Sequence, residues 1–211
     1  MTEQEFELFL ERADAFHHRV AENVAKLEPY PVPRFGLAHQ SALLSIEHGA
    51  AAYVLIASRL CAPGYSLLRT QLETLVRGIW MMYAASDAWI DKLNQPLTEA
   101  SAEATKDTLM LDKMLKALRG TESAPSALLD QLEACRTVMW KTLNSYAHGG
   151  LHPLARASMG YPPQLNFDVI RNSNAMVALA SQLTAIVSGH PENMAPVRSL
   201  HQEFADCLPI V

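Results

Sequence analysis

Apolar residues recur along this chain at helical spacing almost from end to end. Phe6, Phe9, Leu10, Ala13, Phe16, Val20, Val24 and Leu27 follow the i, i+3, i+4 pattern, which predicts a first helix opened by Thr2 with Glu3 and Glu5 near its positive end. Pro29, Pro31 and Pro33 stop it and form a stiff extended connector. His17 and His18 fall late in this helix and read as surface residues. A second helix is expected from about Leu37 to Leu60, rich in Ala, Leu, Ile and Val, with Gly49 and the alanines after it allowing close approach. Ala62-Pro63-Gly64 reads as a short break, so the second and third helices are antiparallel neighbours.

The third helix, Tyr65–Ala84, is the one around which the rest is organised. Leu68, Leu72, Leu75, Val76, Ile79 and Trp80 leave little polar surface, yet Arg69, Glu73 and Arg77 recur every four residues on one face. A helix apolar nearly all round is buried, so the charged stripe is expected to face inward and to need polar partners from other helices. The candidates are Glu47 with His48, placed by residue counting level with Arg77, and Asn144 with His148.

Past Ala85 the pattern frays, and Asn94–Ala100 reads as a loop around Pro96. Thr105 to Leu118, within a segment of about 101–119, reads as an exposed outer amphipathic helix closed by Gly120. A further helix, opened by Ser123-Ala124-Pro125-Ser126, ends at Asn144-Ser145-Tyr146-Ala147-His148-Gly149-Gly150. An irregular stretch through His152-Pro153 and Tyr161-Pro162-Pro163 follows. Another helix, from Asn166 or Asp168 to about Ser188, comes next, and a last short one is expected over Glu192–Cys207. The fold class is therefore all-α: a single-domain helical bundle of five to seven helices over residues 1–211, its core at 37–188.

Composition narrows the chemistry. A formal net charge of -5 over 211 residues gives no global pull toward nucleic acid or anionic membrane, though a local basic patch is compatible with it. Cys61, Cys135 and Cys207 are far apart and odd in number, which suits a reducing cytoplasm and neither a disulfide framework nor a zinc site. The acidic, amphipathic start is not a signal peptide, and no run approaches the ~20 apolar residues that span a bilayer. No GxGxxG, GxxxxGK[ST], HExxH or GxSxG occurs, so no cofactor and no metal is expected.

Two short motifs stand out: Arg69, Glu73, Arg77 and Trp80 as R-x3-E-x3-R-x2-W, and Leu143–Gly150 as L-N-S-Y-x-H-G-G. Over roughly Ser41–Arg156 the chain resembles a group of uncharacterised bacterial all-helical proteins, loosely similar to the HEPN superfamily. That superfamily includes metal-independent RNases of toxin–antitoxin and defence systems. The resemblance implies a bacterial, cytoplasmic homodimer acting on RNA or engaging a cognate partner protein. It carries Asn144 and His148 onto the polar residue and the histidine of the HEPN signature. Leu143 stands where that signature has arginine, so the cation has to come from Arg69 or Arg77 on the neighbouring helix. On this reading His148 is the acid/base, Arg69 and Arg77 stabilise phosphate, Glu73 and Asn144 orient them, and Glu47, His48, Tyr146 and His152 are pocket candidates. The bland alternatives are a register-fixing ionic network, a His148 that only caps carbonyls at its helix end, an Asn144 that bridges helices, and a satisfied core His48. Trp80, Trp140, Tyr83 and Tyr146 read as core or interface. A non-catalytic bundle binding a small anion or a partner protein through the same pocket is the rival from another class.

Overall fold

The computed structural model describes residues 1–106 and 109–209. Within them lie ten α-helices and no strand: α1 (Glu3–Val24), α2 (Pro33–Ala57), α3 (Cys61–Tyr83), α4 (Asp87–Leu93), α5 (Glu99–Thr105), α6 (Leu111–Arg119), α7 (Ser126–Ala147), α8 (Leu151–Met159), α9 (Pro163–Val187) and α10 (Met194–Glu203). Five of them, α1, α2, α3, α7 and α9, run 22 to 25 residues. The expectation of five to seven helices fell short because several short helices have weak sequence signals.

Where helix starts were legible, capping explains why. Thr2 accepts from the Glu5 amide while the Glu5 carboxylate takes the Thr2 amide, a complete capping box. Corrections follow from the same chemistry. Helix α3 begins four residues before Tyr65, because a proline in the first turn gives up only a donor that would have no partner there. The break lies instead at Ser58–Leu60, with Arg59 at φ 64°. Helix α8 tolerates Pro153 in its first turn for the same reason, so the supposed irregular stretch is helical up to Met159. The expected loop at 94–100 ends in α5, capped by Thr98 and Ser101. The outer helix is two helices rather than one; Asp107 and Thr108 of that reading lie outside the described residues.

Helix α3 packs against α2, α6, α7 and α9, and it buries Leu68, Leu72, Leu75, Val76, Ile79 and Trp80 in the main core. A second core gathers Phe6, Phe9, Phe16 and Val20 of α1 with Ile56, Tyr65, Ile170, Leu200 and Phe204. A buried polar seam joins three helices. Ser45 donates to the Gln71 carbonyl at 3.0 Å, Gln71 Nε2 to the Ser173 carbonyl at 3.0 Å, and Ser173 Oγ to Gln71 Oε1 at 2.8 Å.

This seam sets the register between α2 and α3. With Ser41 on the Thr74 carbonyl and Ser45 on that of Gln71, Ala38 and Ser41 lie level with Gly78. The Glu47–His48 pair is therefore about two turns away from the level of Arg77, contrary to the count from the sequence. The inward-facing polar residue of α3 is Gln71, fully buried, whereas the charged stripe lies at the bundle's edge. His17 is likewise not a surface residue: it is half-buried, its ring stacked on Tyr53 at 5.0 Å.

Candidate functional site

The two distant motifs meet where α3 runs past the end of α7. Helix α7 closes with the His148 amide on the Asn144 carbonyl at 3.1 Å. Gly149 then takes φ 64°, a conformation that costs glycine little. Gly150 donates to the Ser145 carbonyl at 2.7 Å, and Ser145 Oγ accepts from the His152 amide at 3.1 Å, which starts α8 at once. A Cβ on Gly150 would fall 2.6 Å from Ser145 Oγ, so a larger residue would displace that hydroxyl from the His152 amide. Ser66 pins the exit to α3 by donating to the Tyr146 carbonyl at 3.2 Å.

The exit leaves His148 exposed at the surface with Arg69 beside it. Arg69 Nη1 lies 2.5 Å from His148 Nε2. A guanidinium can only donate, so Nε2 supplies the lone pair and the imidazole in this contact is neutral with its proton on Nδ1. Arg69 Nε donates to Glu73 Oε1 at 3.2 Å, and its guanidinium carbon lies 5.2 Å from the Trp140 ring centre. Glu73, His148 and Trp140 thus hold the planar cation from three directions, while the rest of its fork stays free of protein acceptors among the described residues. Asn144 stands one turn before His148 on α7, its Oδ1 buried without a hydrogen-bond partner.

The other sequence candidates fall elsewhere. Arg77 follows Arg69 by two turns, about 12 Å along α3, and has no hydrogen bond or ion pair among the described residues. Burial pushes its pKa down, and the charge of Glu73 opposes that. Arg77 therefore does not join His148. Glu47 is exposed and His48 half-buried. Neither has a hydrogen bond or ion pair among the described residues, so His48 is not a satisfied core histidine and neither residue joins the site. Tyr146 is buried against Tyr65, with ring centres 5.0 Å apart. Burial, with help from Tyr161, pushes its hydroxyl pKa up. It forms the floor beneath the turn. His152 is exposed at the start of α8, its ring centre 6.5 Å from that of Tyr146. Leu143 is 4% exposed and part of the main core, so this position serves packing.

Trp140 is the site residue that the sequence suggested as core or interface. Its spacing of four before Asn144 and eight before His148 puts all three on one face of α7, and that periodicity was the available signal. Among the described residues no group of three or more His, Cys, Asp or Glu could hold a metal ion. No helix among them is long and apolar enough to cross a membrane.

Fold and corner together define an all-helical protein carrying an exposed arginine–histidine pair that joins two helices. The chain belongs to DUF6988, a family of unknown function, whose model matches residues 42–210. That span takes in Arg69, Glu73, Trp140, Asn144 and His148 and leaves α1 outside. No curated protein and no solved structure matches the chain.

Proposed function

We propose that the protein is a HEPN-like, metal-independent RNase in which His148 and Arg69 form the reactive pair. The observation that carries this reading is the 2.5 Å contact between Arg69 and an exposed His148, made by residues 79 positions apart. Arg69 takes the place of the arginine that Leu143 displaces from the signature. A phosphodiester oxygen that binds the Arg69 fork competes for Nη1 and frees the Nε2 lone pair of His148. Nε2 then removes the proton of the adjacent 2′-hydroxyl. The 2′-oxygen bonds to phosphorus, the bond from phosphorus to the 5′-oxygen breaks, and that oxygen leaves with the electron pair and takes up a proton. The products are a 2′,3′-cyclic phosphate and a 5′-hydroxyl. Exposed His152 is the candidate to deliver the second proton. Arg77 is too far from His148 to share the reacting phosphate and serves at most a neighbouring one.

On this reading the protein is a bacterial, cytoplasmic toxin or defence component and works as a homodimer. Leu151, Leu154 and Met159 of α8, all exposed, offer the apolar surface on which such pairing would rest.

The rival reading, a non-catalytic bundle that binds an anion or a partner protein at the same corner, is favoured by one feature. Arg69 is already engaged by Glu73, His148 and Trp140 without any ligand. One experiment separates the two: purified protein and its His148→Ala variant are incubated with single-stranded RNA in the presence of chelator, and the ends are analysed. Cyclic-phosphate ends from the parent alone support the nuclease. Equal cleavage by both, or none by either, removes it.

A further inference from the structure

Helix α7 packs chiefly on α3, with α6 and α8 beside it, and a cavity of about 490 Å³ lies between it and α9. That volume is in the range that holds a small organic ligand. The walls are mostly apolar: Ala134, Val138 and Met139 of α7, Ala175 and Leu179 of α9, and Leu208 of the C-terminal tail. Cys135 also lines it, with burial pushing its thiol pKa up, so it behaves here as a small apolar group.

Three polar residues line this open-sided cavity from three different helices: Gln131 of α7, Asn172 of α9 and His201 of α10. None of the three makes a hydrogen bond or ion pair with another described residue; Gln131 is exposed and Asn172 and His201 are half-buried, so their polar groups are open to solvent and to a ligand. Among the described residues, no Lys, Arg, Asp or Glu lines it. An ionised head group there would find no opposite charge among these residues.

We propose that this cavity binds an uncharged amphiphile, with a hydrocarbon body against Val138, Met139, Ala175 and Leu179 and one neutral hydrogen-bonding head at Gln131, Asn172 and His201. The site lies apart from the Arg69–His148 corner and does not depend on the nuclease reading. Burial lowers the His201 pKa, which keeps that ring neutral and matches an uncharged head.

The test uses the full chain and Nile red, an uncharged dye that brightens in apolar surroundings. The expected result is saturable binding, displaced by decan-1-ol and at least tenfold less well by decanoate at neutral pH. Ala175→Trp fills the cavity and should lower dye affinity at least tenfold. Asn172→Leu, which leaves the volume nearly intact, should keep the dye but weaken displacement by the alcohol. No saturable binding, unchanged binding by a folded Ala175→Trp variant, or decanoate competing as well as the alcohol would each overturn the proposal. A concentration-dependent dimer that loses dye binding as it forms would overturn it too, since the face would then be a contact between copies.

Discussion

Arg69 carries more of the site than any other residue, because it bonds Glu73 and His148 at once while lying over Trp140. Lysine keeps the charge but has neither the fork nor the flat face. If the proposed nuclease reading holds, Arg69→Lys is expected to lower RNA cleavage by about tenfold or more, equivalent to ~1.4 kcal/mol of transition-state stabilisation. Its melting temperature should stay within a few degrees of the parent, since partly exposed ion pairs contribute roughly 0–1 kcal/mol. Initial rates and a thermal melt on the same preparations check both halves. If cleavage and stability fall together, the arginine is mainly structural.

For whole elements, the closest approach is at Gly49 of α2. A Cβ there would lie 2.4 Å from Val177 Cγ2 of α9 and 2.6 Å from Gln71 Nε2 of α3. Gly49→Ala must therefore push α2 away from its neighbours or break the Gln71–Ser173 seam. A loss of roughly 1–3 kcal/mol is expected from overpacking, read as a lower denaturation midpoint with an unchanged slope. The sequence made the long helices legible because their apolar periodicity runs for five or more turns. It also made the Asn144–Gly150 stop legible, through the two glycines. It hid α8, where Pro153 looks like a breaker but stands in the first turn. It also hid the true register of α2 on α3. That register is set by Ser45, Gln71 and Ser173, three small or neutral polar residues that attract less notice than Glu47 and His48. The pairing of Arg69 with His148 is legible as a meeting of motifs. The separation of Arg77 from them follows only once α7 is seen to end beside Arg69.

For the molecule as a whole, acid sensitivity follows from buried and half-buried histidines. Burial pushes the His17 pKa from its ordinary 6.5 down to about 4, opposed by Asn174 and Asp14. Between those values the unfolded chain binds a proton that the native state does not, so stability is full above about pH 6.5 and is lost as pH falls toward 4. His39 and His201 are shifted down as well, also chiefly by burial, and add to the effect with the same sign. For His17 alone the loss is of order 1–2 kcal/mol, discounted because its ring is partly exposed, or roughly 2–8 °C in melting temperature. Thermal melts at pH 7, 6, 5 and 4 measure it. His17→Gln should flatten the curve in that window, and an unchanged curve would show that other groups set the acid limit.

The second core has its own consequence. The family match begins inside α2, yet Phe6, Phe9, Phe16 and Val20 cover Tyr65, Ile170, Leu200 and Phe204, all of which lie within the matched span. The edge of kinship is thus not a seam at which the molecule can be cut. A shortened gene product lacking residues 1–32 would carry a bare aromatic flank into solution. It should come out of cells as inclusion bodies, or as a sticky, dye-binding species with blunted melting, while the intact chain stays clear.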